Sequence, residues 1–229
     1  KIFYAVRINR LVGEGMKAVV IGNSAAALNA AATFRQYDQA SGLTLISQEA
    51  GPAYCRVLLP YFLRGKLAYD KMFLSDQDFY KRLDINTRFG CEVIAVDPAK
   101  HRLSLAGGET LAYDRLLIAT GASPVMPPIE NLPGPGVSHM WTLRDALNLE
   151  PYFCPGKRVL IIGSGFIALQ AAWAALNRGM RATVYELMPR IMPQVLDEGG
   201  AGVLAGKIAA SGIDLAVNTC TQRVERQPD

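Results

Sequence analysis

Residues 157–169 read KRVLIIGSGFIAL. A basic pair leads into the apolar run VLII, then a turn with two glycines, then the apolar start of a helix. A β-strand passing through a glycine turn into a helix is the repeating unit of α/β folds. Gly163-Ser164-Gly165-Phe166-Ile167-Ala168 fits the pattern GxGxxG/A. Each small residue has its own task. Gly163 permits the tight turn, Gly165 lets an anionic group approach the backbone, and Ala168 lets the helix lie close to the strand. The N–H groups of the first helical turn then face that anion, with the positive end of the peptide dipoles behind them.

The next strand, residues 181–185 (RATVY), leads to Glu186, 23 residues after Gly163. A carboxylate at this place accepts hydrogen bonds from both hydroxyls of an adenosine ribose and repels a 2′-phosphate. The spacing therefore predicts a dinucleotide site that prefers NAD(H) to NADP(H). The competing reading is a plain strand–helix corner in an unrelated α/β protein.

About 140 residues earlier the same unit occurs in a degenerate form. Residues 19–31 read VVIGNSAAALNAA, where only Gly22 is a glycine and Ser24 and Ala27 take the second and third places. Ser24 fits if its backbone keeps ordinary dihedrals, and its hydroxyl is available to a phosphate or to cap the helix. Ala27 is the smallest alternative to glycine at the packing position. Glu49 lies 27 residues after Gly22, just past the strand at 43–46 (LTLI). Spacing alone leaves a substituted dinucleotide site and an ordinary corner both open, and the second copy weighs toward the site.

Between the two units the pattern turns to strands. Residues 91–121, CEVIAVDPAKHRLSLAGGETLAYDRLLIATG, alternate apolar and polar side chains around a hairpin turn at AGGE. They end in RLLIA (115–119), which reads as a buried strand. DQDFYKRL (76–83) predicts a short helix capped by Ser75 or Asp76. Residues 123–135 are proline-rich and read as a connector, followed by a helix at 143–149. Residues 197–211 predict a helix weakened by Gly199, Gly200, Gly202 and Gly206, and 213–217 a strand. TQRVERQPD reads as the start of one more strand. The expected fold is α/β, with two Rossmann-like three-layer units on parallel sheets and a β-rich insertion between them. The expected boundaries are 16–122, a connector at 123–155, and 156–229. Residues 1–15 read as an upstream extension or an artificial leader, with a genuine arm as the alternative.

Composition narrows the function classes. The 229 residues suit one or two domains, and 50% hydrophobic with 19% charged residues is ordinary globular usage. The net charge of +4 is dispersed in pairs such as Lys81-Arg82, which suits a solvated surface rather than a nucleic-acid footprint. No apolar run of about 18 residues is present, so no membrane helix is expected. The four cysteines form no CxxC pair and only two histidines occur, which argues against zinc or iron–sulfur ligation and suits a reducing cytoplasm. The N-terminus lacks the apolar core of a secretion signal.

One more stretch joins these parts, the aromatic loop AYCRVLLPYFLRGK at 53–66. The order of a first dinucleotide turn, a YxRxLLPYxLxGK loop, a β-stretch ending in LLIATGASP and a second GxGxxA turn with its acid resembles the FAD-dependent pyridine nucleotide-disulfide oxidoreductase superfamily. It is most similar to the NADH-dependent flavin branch of nitrite reductases and rubredoxin or ferredoxin reductases. The resemblance runs from about Met16 to the C-terminus. It implies that Gly22, Ser24 and Ala27 hold the FAD pyrophosphate and Glu49 its adenosine ribose. It further implies that Arg56 lies along the FAD, that Val93 meets the adenine through its backbone, and that Thr120-Gly121 carry the chain past the FAD. Gly163, Gly165, Ala168 and Glu186 would bind NADH. The implied reaction passes hydride from NADH to FAD and electrons on to a small acceptor or a redox protein such as rubredoxin, ferredoxin or an iron–sulfur subunit. No protein nucleophile is needed, and a homodimer is the family's usual assembly.

Two departures bear on this expectation. In relatives similar to coenzyme A-disulfide reductase, a redox cysteine stands three residues before the PY of this loop. Here that residue is Val57, and Cys55 reads as a replacement for serine without a redox role. Disulfide reduction through Cys55 is the alternative chemistry. Family members also continue past the equivalent of Asp229, with a GD segment for the flavin ribityl chain that does not occur here. A fragment, a natural truncation or a partner chain would each account for that. The expectation is reduced FAD affinity, with a non-catalytic dinucleotide-binding module as the other reading.

Overall fold

The structure is a computed structural model that describes residues 15–74 and 78–226. The expected extension before Gly15 and the cap candidates Ser75 and Asp76 lie outside the described residues.

The chain divides into two compact units. The first contains the described residues to Tyr54 together with Phe73–Ala122. Its parallel sheet has β1 (Lys17–Ile21), β2 (Gly42–Ser47), β3 (Ile85–Phe89) and, after three intervening strands, β7 (Arg115–Ile118), in the order β3-β2-β1-β7. Helix α1 (Ala25–Tyr37) makes the crossover from β1 to β2. A separate antiparallel sheet is formed by β4 (Val93–Asp97), β5 (Arg102–Leu105) and β6 (Thr110–Ala112). Gly107 and Gly108, at φ 96° and 88°, make the β5–β6 turn where AGGE predicts it.

The alternation along β1 builds three layers. Ala18 and Val20 pack with Ala27, Leu28 and Ala31 of α1, while Val19 and Ile21 pack on the other face with Leu103, Leu105 and Tyr113 of the antiparallel sheet region. Side chains alternate across a strand, so a run apolar on both faces needs cover on both. The short helix α3 is Phe79–Arg82, and its Tyr80 joins the α1-side core.

The second unit contains Cys55–Met72 and the described residues from Ser123 onward. Its parallel sheet has β8 (Arg158–Ile162), β9 (Arg181–Tyr185) and β10 (Asp214–Ala216), in the order β10-β9-β8. Helix α5 (Phe166–Asn177) joins β8 to β9, and α6 (Glu198–Ala210) joins β9 to β10. The loop 53–66 forms a 3-10 turn at Arg56–Leu58 and α2 at Leu59–Leu63, which packs with α4 (Leu143–Leu149) and α5. Among the described residues no helix is long and apolar enough to cross a membrane.

Two expectations change and one is met. RLLIA is a strand through Ile118 but not a buried one, since Leu117 is 40% and Ile118 59% exposed. Among the described residues β7 is the last strand of its sheet, paired with β1 on one side. The expected helix α6 forms across its glycines, with Asp197 capping its start by accepting from the Gly200 N–H at 2.8 Å and with Ala201 and Ile208 buried. The tail adds no strand through Arg226, only one bridge between Arg223 and Glu130.

Candidate functional site

The two glycine turns share one backbone plan. The Gly22 N–H donates to the Ile46 carbonyl at 2.8 Å, and the Gly163 N–H donates to the Tyr185 carbonyl at 2.7 Å. Each bond continues the parallel ladder one step past the paired strand ends. Gly22 has φ 125° and Gly163 φ 96°, a region that favours glycine. Ser24 and Gly165 are the N-caps of α1 and α5, both extended, at φ −132° and −70°. Ser24 thus has the ordinary dihedrals that its substitution for glycine requires. Its hydroxyl makes no capping bond, so of the two uses expected for it the cap is not realised.

Their caps separate these two helices from α4 and α6, the other helices of seven or more residues among the described residues. Neither α1 nor α5 has a side-chain cap or an acidic residue in its first turn. By contrast, α4 has a reciprocal capping box between Thr142 and Asp145, and α6 has Asp197 with Glu198 beside it. A helix start without a side-chain acceptor keeps its N–H groups and dipole available to an external anion. The place where a Cβ would stand on Gly163 or Gly165 is open, with no atom within 4 Å. These features fit a dinucleotide pyrophosphate at each turn. Ala27 is fully buried against the strand side, and Ala168 is half-buried.

Gly22 is glycine for a second reason. A Cβ there would land on the Ala119 carbonyl oxygen, with the carbonyl carbon 2.7 Å away. The segment after β7 crosses directly over the first turn, and the Ala119 N–H donates to the Ile21 carbonyl at 2.7 Å. Thr120 and Gly121, the latter at φ 70°, follow at once, so they lie in the same neighbourhood as Gly22.

The acids are held differently. Glu49 lies just past β2 and accepts from the Tyr54 hydroxyl at 2.5 Å. Asn23, next to Gly22, donates to the Gly51 carbonyl at 3.1 Å and accepts from the Tyr80 hydroxyl at 2.7 Å. The Tyr80 oxygen in turn accepts from the Ala53 N–H at 2.9 Å. In the second unit the contact is direct. Glu186 Oε2 accepts from the Ser164 N–H at 2.9 Å and from the Ser164 hydroxyl at 2.5 Å. Its Oε1 accepts from the Met188 N–H at 2.9 Å. Glu186 is 7% exposed, and these three donors fill most of the roughly four acceptor places of a carboxylate. Room is left for about one further donor, not for a ribose pair on both oxygens.

The remaining expected residues are dispersed. Val93 opens β4 opposite Leu105, at a register shift, and packs partly into the core beneath the first turn. Arg56 belongs to the second unit, where it donates to the Trp141 carbonyl at 2.7 Å and lies over the Trp141 ring. Asn23, Tyr80 and Ser164 acquire roles that the motif reading does not give them. The available signal was a polar residue directly after the first glycine in both turns.

Known proteins are similar to this chain in sequence and in fold. The chain is 31% identical over 204 residues to rubredoxin-NAD(+) reductase of Pseudomonas putida, a match covering 89% of this chain and 53% of the relative. It is 29% identical to the epsilon subunit of NADH-dependent phenylglyoxylate dehydrogenase of Aromatoleum evansii, covering 93% of this chain and 50% of that one. In fold it matches a chain of the putidaredoxin reductase–putidaredoxin complex with a TM-score of 0.88 at 23% identity, over 94% of this chain and 52% of the other. The chain thus spans about half the length of the curated relatives it matches. The family model for pyridine nucleotide-disulphide oxidoreductases matches residues 16–229, and the chain belongs to that family.

Proposed function

We propose that the protein is an NADH-dependent flavin oxidoreductase, with FAD at the first turn and NADH at the second. The observation that carries this reading is the pair of uncapped helix starts, each with an acid at the end of the neighbouring strand. FAD, when bound, would supply the redox chemistry that links NADH to an electron acceptor. The chain's own residues bind and orient. Gly22, Ser24 and Ala27 let the first pyrophosphate rest on the start of α1, and Glu49, steadied by Tyr54, receives the ribose. Val93 offers backbone to the adenine, and Thr120-Gly121 line the path beside Gly22. Gly163, Gly165 and Ala168 do the same work for NADH at α5, with Glu186 accepting one ribose hydroxyl at its remaining place.

The names of the relatives support a redox-protein acceptor, such as a rubredoxin or a ferredoxin, and a homodimer is the assembly that the reading expects. The four free cysteines suit the cytoplasm. Cys55 plays no part in this reaction, and Cys55→Ser should leave NADH oxidation unchanged.

The first test is an absorption spectrum of the purified protein over about 300–550 nm, before and after NADH without oxygen. Flavin bands that bleach support both sites. Bands that persist would mean that the FAD site forms but the nicotinamide does not reach it, which would overturn the reductase reading for this chain. An absence of bands, even after added FAD, would sink the first.

A further inference from the structure

Ser164 carries more hydrogen bonds than a turn residue needs. It is 1% exposed, its hydroxyl donates to Glu186 Oε2 at 2.5 Å, and the same oxygen accepts from the Met192 N–H at 3.0 Å. Met192 is a buried non-glycine residue at φ 46°, in the left-handed region that side chains disfavour. Its carbonyl is also engaged, accepting from the Val195 N–H at 2.9 Å and the Leu196 N–H at 3.0 Å. One hydroxyl therefore holds both the acid and the strained pivot of the loop that follows it. In that same loop Arg190 is folded back, donating to the carbonyls of Leu196 at 3.2 Å and Pro193 at 3.1 Å. A cation of the sort that would attract a 2′-phosphate is thus occupied by its own loop.

We infer that Ser164 is a positioning residue that sets the preference for dinucleotides lacking a 2′-phosphate, by locking Glu186 and the 187–192 loop through Met192. The inference rests on the second turn being a nucleotide site. Without the hydroxyl, Glu186 loses its shortest bond and the buried Met192 N–H loses its acceptor. The unpaired Met192 N–H is relieved if Met192 leaves its left-handed conformation, and Glu186, now short of one donor, is freer to turn. Substrate contact is not the role of Ser164 itself, because its oxygen already faces two protein partners.

The test is calorimetric titration of the full chain with ADP-ribose and with 2′-phospho-ADP-ribose, which reads binding without turnover. Wild type should favour ADP-ribose. Ser164→Ala should narrow that preference about tenfold, the scale of a hydrogen bond to a charged group, mostly through weaker ADP-ribose binding. A merely structural serine would weaken both ligands equally, and an unchanged ratio would overturn the inference. Ser164→Cys keeps the site filled while weakening both bonds, and it decides the matter if the alanine variant does not fold: a narrowed ratio supports the role and an unchanged ratio rejects it. Failure of wild type to bind either ligand would instead reject the nucleotide site, and this inference with it.

Discussion

The first turn, at Gly22, and the second, at Gly163, use the same ladder bond, the same left-handed glycine and the same uncapped helix start. They differ in what surrounds the glycine. At Gly22 another stretch of backbone presses on the Cα, whereas at Gly163 the space is empty. They differ also in how the residue after the glycine is used. Asn23 reaches the loop beyond Glu49 through Gly51 and Tyr80, while Ser164 binds Glu186 itself. A shared motif therefore fixes backbone geometry but not the chemistry that orients the acid. Glu49 is steadied by Tyr54 from the loop beyond it, and Glu186 by the short polar side chain that follows the glycine.

The largest effect expected from this contrast is that of Gly22→Ala. Its methyl meets the Ala119 carbonyl in a backbone that cannot simply rotate away, and the left-handed φ adds strain. A loss of roughly 3–5 kcal/mol is expected in chemical denaturation. Gly163→Ala has the strain without the clash and should cost only about 1–2 kcal/mol. Equal costs would break the comparison.

Gly165→Ala comes next and separates binding from folding. Its φ of −70° and open surroundings make alanine tolerable in the fold. The methyl would stand where a pyrophosphate must approach, so NADH affinity should fall at least about tenfold, or ~1.4 kcal/mol, with melting temperature nearly unchanged. Titration of the variant with NADH reads this directly, and full affinity would remove Gly165 from the site.

Tyr54→Phe removes the bond that steadies Glu49 while keeping the ring. FAD affinity should drop by several-fold, about 1 kcal/mol, with no change in NADH affinity. A loss on the NADH side would show that the two acids are not independently held.

The smallest effect concerns Asp38, just after α1. Its carboxylate accepts from the N–H groups of Ser41 at 2.9 Å and Ala40 at 3.0 Å. These bonds, with the one from Ser41 foremost, hold its pKa below the ordinary aspartate value. A carboxyl depressed in the folded state stabilises above its unfolded pKa, and that contribution is lost as the pH falls through the lower folded value. Asp38→Asn should flatten this acid limb of the stability curve for the first unit. An unchanged slope would assign the limb to other carboxylates.

Much of this molecule was legible before folding. The two strand–turn–helix units, the AGGE hairpin and the acids at 49 and 186 follow from local periodicity and fixed spacing, which need only neighbours in sequence. Helix α6 was legible as a helix weakened by its glycines, and the cap that Asp197 provides emerged only in the structure. Strand β3, INTRF, carries too little apolar alternation to stand out. It is a strand because β2 pairs with it from Leu43↔Ile85 to Ser47↔Phe89.

The sequence by itself determined where the chain turns and which residues stand at each turn, because a φ above zero and a tight strand–helix corner are local demands that glycine meets. Only the tertiary structure decided what those residues do. Ala119 reaches Gly22 across 97 positions, and Glu186 reaches Ser164 across 22. It also decided that the apolar Leu117 and Ile118 stand half in solvent rather than inside. Burial and hydrogen-bond partnership are set by which distant segments arrive at a site, and no window of neighbouring residues contains that information.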